Sequence, residues 1–241
     1  MTKQLLIYTN VQPINLESHG KTKVGKLDNF GFTKGLQYIP VLMTEFKKAS
    51  LEYPIVFVES EDQIPVPIAI LSVSEQNGYL NEDLGWEARY IPAFIRRYPF
   101  VFSRNPEGDE YFLCIDESSE CISESIEGES IFEENGDQTP FTKKTLEFLQ
   151  AYQIEHNNTL EQCKLLRDLN LFDQKQLSGT TNADAESQEL VKLSGFLTVD
   201  RARVSTLSDE KKLQLMKDGL FEQIIYHWIS LEQFNHKRFN S

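Results

Sequence analysis

GWEARYIPAFIRRYPFVF, residues 85 to 102, is the stretch around which the chain is organised. Pro92 presets the backbone for a helix start and Pro99 stops the helix, so Pro92 to Arg97 is expected to be a short helix. Phe100 to Ser103 then reads as a strand. Tyr111 to Ile115 is its partner, joined through a turn at Asn105-Pro-Glu-Gly108. The stretch is dense in large apolar side chains, among them Trp86, Tyr90, Ile91, Phe94, Tyr98 and Phe100. It also carries Arg89, Arg96 and Arg97, and no Asp or Glu occurs from Ala88 to Pro106.

That basic run sits in an acidic chain. The 241 residues include 37 acidic and 24 basic side chains, a net charge of -13. Such a balance repels nucleic acid and anionic lipid overall, so neither a nucleic acid nor a membrane is an expected partner. A local basic patch can still bind a small anion. With an apolar fraction of 40%, the chain can build a real core, and residues 1–241 read as a single domain. No run approaches the ~18 apolar residues that span a bilayer. Leu5 to Tyr8 is too short for a signal-peptide core. Cys114, Cys121 and Cys163 are odd in number and form no C-x-x-C, which suits free thiols in a reducing compartment. The expected location is the cytoplasm.

Toward the N-terminus, Leu5 to Thr9 reads as a strand and Ser18 to Gly35 as glycine-rich loop. Val41 to Leu51 has helical spacing at Leu42, Phe46 and Ala49, with Pro40 in the first turn and Tyr53-Pro54 as the stop. Ile55 to Val58 and Pro67 to Val73 are apolar runs expected to pair as strands. Toward the C-terminus, residues 116–138 hold many Asp and Glu with no Lys or Arg, and are expected to be exposed. A helix from Thr142 to Ile154 would turn Leu146, Leu149 and Ile154 inward, and a second would run from an N-cap at Thr159 to Leu169. Phe172 to Leu177 and Leu190 to Val199 read as strands around a polar loop, 179–189. Ser208 caps a helix to Lys217, and Gly219 separates it from an amphipathic helix, Leu220 to Phe234. Leu220, Ile224, His227, Trp228 and Leu231 share its apolar face. The fold class is α+β: a mainly antiparallel sheet in the first half, with helices concentrated in the second half.

Recognisable catalytic patterns are missing. The four histidines form no H-x-H or H-E-x-x-H, the cysteines offer no paired ligands, and no metal or other cofactor is implied. The acidic segment lacks the alternating ligands of a calcium loop. There is no phosphate-binding glycine loop and no G-x-S-x-G elbow. Cys114, inside an expected strand, reads as a core residue. His227, beside Trp228 on an apolar helix face, reads first as a buried histidine with a hydrogen-bond partner.

The Arg/aromatic stretch is the candidate site. A guanidinium binds carboxylate or phosphate in bidentate fashion and stacks on aromatic faces. Two structural roles compete: capping the end of the short helix, where the dipole favours cations, and pairing with the protein's own carboxylates, for example those of the acidic segment.

The chain also resembles the bacterial SapC family. The marks are Pro40 with Glu45-Phe46, Tyr53-Pro-Ile-Val-Phe57, Gly85-Trp86, Ala88-Arg-Tyr-Ile-Pro-Ala-Phe-Ile-Arg-Arg-Tyr-Pro-Phe100 and Leu113-Cys-Ile-Asp116. Gly195-Phe-Leu-x-Val-Asp200 and Gly219-Leu220 with His227 continue the likeness. The resemblance implies a link to surface layers or to export of their protein. It also implies neighbours resembling flavin-dependent tryptophan halogenases, cupin-type oxygenases and TonB-dependent receptors, and so an uptake or modification pathway. It brings no catalytic residues. The expected function is a non-catalytic binding or accessory protein. It would hold an anionic small molecule, a peptide or a protein partner on a surface of Trp86, Arg89, Tyr90, Arg96, Arg97 and His227. The alternative is an enzyme whose site assembles from distant residues around Arg96 and His227, with Glu45.

Overall fold

The computed structural model describes residues 6–104, 111–183, 187–236 and 238–239. The architecture is α+β with antiparallel sheets, strands mostly in the first half and helices at 140–168 and 201–235. The central sheet has five strands, side by side in the order β10 (Phe172–Ala183), β11 (Ser187–Val199), β4 (Ile55–Glu59), β5 (Pro65–Ile70) and β3 (Tyr38–Pro40). Its middle is β4 against β5, with Phe57 opposite Pro67 and Ile55 opposite Ala69. Ile55, Val56, Phe57, Ile68, Ala69 and Ile70 are all buried. Consecutive buried residues mean that both faces of these strands are covered, which is why the sequence shows continuous apolar runs rather than alternation. β3 pairs with Ile68 to Ile70, leaving Pro65 and Pro67 at the end of β5 that β3 does not reach, where a missing N–H does least harm.

A second sheet places β7 (Tyr111–Asp116) between β1 (Val11–Pro13) and β6 (Phe100–Arg104). The expected strand at Leu5 to Thr9 is displaced: Leu6 and Ile7 form a turn, and β1 begins only at Val11. Asp116 explains this. Its fully buried carboxylate accepts from Thr9 N at 2.8 Å and Asn10 N at 2.9 Å, so those groups cap a side chain instead of joining a ladder. Burial alone pushes this carboxyl up, but the bonds from Ser118, Thr9 and Asn10 outweigh it and hold the group below its usual value.

The acidic segment is only partly solvated. β8 (Ile122–Ser123) and β9 (Glu129–Ser130) flank β2 (Lys23–Val24) in a third small sheet, and Asp116, Ser119 and Ile131 are buried. Residues 18–35, expected as loop, supply β2, the end of α1 (Leu16–His19) and a 3-10 turn at Gly31–Thr33. Gly128 sits where an added Cβ would lie 2.3 Å from the Val24 carbonyl oxygen. Gly128→Ala is therefore expected to loosen this sheet, raising amide exchange at Val24 and Glu129 while β4 and β5 stay protected.

Three helical expectations change. Val41 to Leu51 is not one helix: Pro40 belongs to β3, Leu42 is extended, and a 3-10 turn, Met43–Glu45, leads into α2 (Phe46–Ala49). The two helices expected between Thr142 and Leu169 are one, α4 (Pro140–Asp168), capped by Thr139. Thr159 starts nothing; its hydroxyl accepts from Met43 N at 3.1 Å, in mid-helix. Leu149, Tyr152, Thr159, Cys163 and Leu166 form the buried stripe, whereas Ile154 is 60% exposed. Tertiary contacts along that stripe carry the helix through His156, Asn157 and Asn158, residues of indifferent helix propensity.

The polar loop expected at 179–189 is largely strand, because β10 and β11 pair along their length. A two-stranded ladder satisfies backbone groups whatever the side-chain polarity. α5 (Arg201–Ser205), α6 (Asp209–Lys217) and α7 (Leu220–Ser230) complete the fold. Ser208 caps α6, and Gly219 adopts the left-handed conformation (φ 71°) ahead of α7. The turn expected at Asn105–Gly108 lies outside the described residues. No described helix is long and apolar enough to cross a membrane.

Candidate functional site

The Arg/aromatic stretch is positioned from below by one carboxylate. Glu45 is buried. Its Oε2 accepts from Leu42 N at 2.9 Å, and its Oε1 accepts from the Tyr90 hydroxyl at 2.6 Å and from Ala93 N at 2.7 Å. It thus closes its own 3-10 turn and docks α3 (Ala93–Arg96), the short helix that the prolines framed. Burial, and then the neighbouring carboxylate, push the Tyr90 phenol above its usual range, so Tyr90 remains a donor.

Arg96 and Arg97 point to different environments. Arg96 is exposed; its Nε donates to Ile91 O at 2.9 Å, and its guanidinium lies 5.8 Å from the Tyr90 ring centre and 5.3 Å from that of Phe148. Arg97 is buried, with ring centres of Phe94 at 4.6 Å, Tyr152 at 4.8 Å and Tyr8 at 5.7 Å around its guanidinium. Burial pushes the Tyr152 phenol up to about 12 despite this cation, and burial together with Arg97 pushes the His156 imidazole down. Among the described residues, no carboxylate lies within salt-bridge distance of Arg89 or Arg96. The acidic segment ties itself down elsewhere: Glu117 meets His19 at 3.3 Å, and Glu120 accepts from Asn29 at 3.3 Å.

The remaining residues of interest divide. Arg89 is exposed and shares a shallow cleft with Lys48, Leu51, Glu52 and Tyr90, and Lys48 lies 5.8 Å from the Tyr90 ring centre. Tyr90 therefore has both Lys48 and Arg96 near its ring. Trp86 is half-buried and engaged in the fold: its Nε1 donates to the Tyr53 hydroxyl at 2.8 Å, and its ring packs edge-on to Phe30. His227 is fully buried. Its Nε2 accepts from Val199 N at 3.0 Å, which places the proton on Nδ1, 2.9 Å from Ile55 O. Burial lowers its pKa to about 4, with Arg201 adding to the effect. Glu45, Tyr90 and Arg96 come together, whereas His227 is spent on bridging β4 and β11.

A groove of about 280 Å³ opens beside α3, with Arg96 on its wall and Phe100, Phe141, Lys144, Thr145 and Phe148 around it. Sequence reasoning missed the α4 contribution. The signal was present: Phe141, Lys144, Thr145 and Phe148 recur at the three- and four-residue spacing that puts side chains on one helix face. A larger cleft of about 630 Å³ lies between 26–32 and 118–121, with Asp28 and Glu120 in its walls.

A family model described as SapC matches residues 14–236. No curated protein and no solved structure matches the chain.

Proposed function

The chain belongs to the SapC family, and we propose that it acts as a cytoplasmic binding or accessory protein without chemistry of its own. It holds an anion, whether a small molecule, a peptide carboxylate or an acidic segment of a partner, on the surface built from Arg96, Tyr90 and Arg89. A place in a surface-layer or TonB-receptor-linked pathway belongs to the same proposal.

The observation that carries this reading is Arg96. It is an exposed guanidinium held in place by one backbone carbonyl and two aromatic faces, with no carboxylate within ion-pair distance among the described residues. A fork of N–H donors already oriented loses little freedom on meeting an anion. Lys48 and Arg89 extend the positive field around the Tyr90 ring, against a net charge of -13. Trp86 and Arg97 support the surface from inside, and His227 does not contribute to it.

Calorimetric titration with inorganic phosphate, acetate and a short acidic peptide tests the proposal on wild type and on an Arg89→Ala, Arg96→Ala variant. At least one anion is expected to bind wild type about tenfold or more tightly than the variant, the effect of ~1.4 kcal/mol, and to weaken as salt rises. Equal affinities for two folded proteins would remove the surface as a site. Because Arg96 is exposed, its substitution alone is expected to move the melting temperature by no more than ~3 °C, the scale of about 1 kcal/mol.

A further inference from the structure

We infer that the groove between α3, β6 and α4 is a site for an amphiphilic aromatic anion: one carboxylate on a flat apolar body. This deepens the anion-binding proposal and rests on it. Three observations carry it. First, the described lining of the groove contains no Asp or Glu, although the chain holds 37 acidic against 24 basic residues. Two further clefts beside the stretch are not acid-free: one has Glu52 in its wall, the other Asp28 and Glu120.

Second, the charges in the lining are cations borne by different elements. Arg96 comes from the end of α3, followed by the buried Arg97, and Lys144 comes from an exposed position on α4. A carboxylate between them meets a planar fork on one side and a mobile ammonium on the other. Third, Phe100, Phe141 and Phe148 stand in the wall among aliphatic and small residues such as Val24, Leu27 and Pro99. Phe100 and Phe141 approach with ring centres 6.0 Å apart, and Phe148 lies under the Arg96 guanidinium. Phe141 and Phe148 are each half-buried, so ring surface remains for a ligand. At about 280 Å³ the groove lies just below the usual size of ligand sites, ~300–1,000 Å³. That suits one or two fused rings rather than a folded peptide.

Fluorescence and calorimetric titration with 2-naphthoate tests this on the full chain. 2-Naphthylmethanol serves as the uncharged analogue, and inorganic phosphate as the anion without a body. Naphthoate is expected to bind about tenfold or more tightly than either comparator. Lys144→Gln, at an exposed position, is expected to weaken naphthoate at least fivefold and leave the circular dichroism unchanged. Thr145→Phe, which fills the groove from α4, is expected to abolish naphthoate binding while leaving phosphate binding as in wild type. Should phosphate or an acidic peptide bind in an Arg96-dependent way while naphthoate does not, the groove inference falls and the anion surface stands. Should naphthoate bind with the same affinity to the Lys144→Gln and Thr145→Phe proteins, the groove is not its site. Should no anion bind at all, both readings fall.

Discussion

Replacing His227 with alanine is expected to lower the melting temperature by about 10 °C, from a loss of about 4 kcal/mol. The imidazole is the clasp between two strands whose registered pairing is short: β11 meets β4 in register at Leu197 opposite Phe57. On one side Nε2 accepts from Val199 N, and on the other Nδ1–H donates to Ile55 O. Alanine leaves the buried Val199 N–H unpaired and Ile55 O with only the long 3.4 Å bond from Ser230 Oγ, at ~1–3 kcal/mol each, and opens a cavity against Phe57. An unchanged melting temperature would mean that water or a neighbour re-satisfies both groups.

The same residue makes stability depend on acid. The folded pKa is lowered from 6.5 to about 4, first by burial, while the unfolded chain protonates near 6.5. The contribution is therefore complete above pH 6.5, shrinks as pH falls toward 4, and is constant below that. Its size is about 3 kcal/mol, at ~1.4 kcal/mol per pKa unit. Asp116 acts in a lower window, because a depressed carboxyl loses its stabilising effect only as pH falls below the usual Asp value. Thermal unfolding at several pH values separates the two. His227→Gln retains a donor and an acceptor but does not titrate. It is expected to flatten the decline between pH 6.5 and 4, and an undiminished decline would assign that acid sensitivity to other groups.

Glu45→Ala is the second large effect expected, about 4 kcal/mol and ~10 °C. Three donors converge on this buried carboxylate: Leu42 N, the Tyr90 hydroxyl and Ala93 N. Removing it strands all three and undocks α3 from the turn before α2. Glu45→Gln is expected to fall between wild type and alanine, because the amide oxygen still accepts while the amide nitrogen must face an N–H. Urea midpoints for the three proteins check the ranking. Equal midpoints for Glu45→Gln and Glu45→Ala would mean that charge, rather than acceptor geometry, holds the joint.

Several elements were legible because their causes are local. Pro92 and Pro99 bracket α3, Ser208 caps α6, Gly219 takes the left-handed backbone, and the apolar runs at 55–58 and 67–73 pair as expected, although the second strand spans Pro65–Ile70. The buried face of α7 followed its helical spacing at Leu220, Ile224 and His227, although the helix expected to reach Phe234 gives way to a 3-10 turn after Ser230. Other readings failed where a distant partner decided the outcome. Leu5 to Thr9 gave way to β1 because Asp116 claims the Thr9 and Asn10 amides, and Thr159 sits mid-helix because Met43 N donates to it.

By itself, the sequence determined the α+β class, the family, and a short proline-framed helix rich in arginine and aromatic residues within an acidic chain. Only the tertiary structure decided which arginine faces outward. Arg96 and Arg97 are adjacent, and no local rule separates them; α3 turns Arg97 into the ring of Phe94, Tyr152 and Tyr8 and leaves Arg96 on Tyr90 and Phe148. Tertiary structure likewise brought Lys144 to the same groove and supplied the two backbone partners, Val199 N and Ile55 O, of a histidine whose helix face already read as buried. The physical reason is the same in each case: a helix face acquires its meaning from what packs against it, and those partners lie far away in the chain.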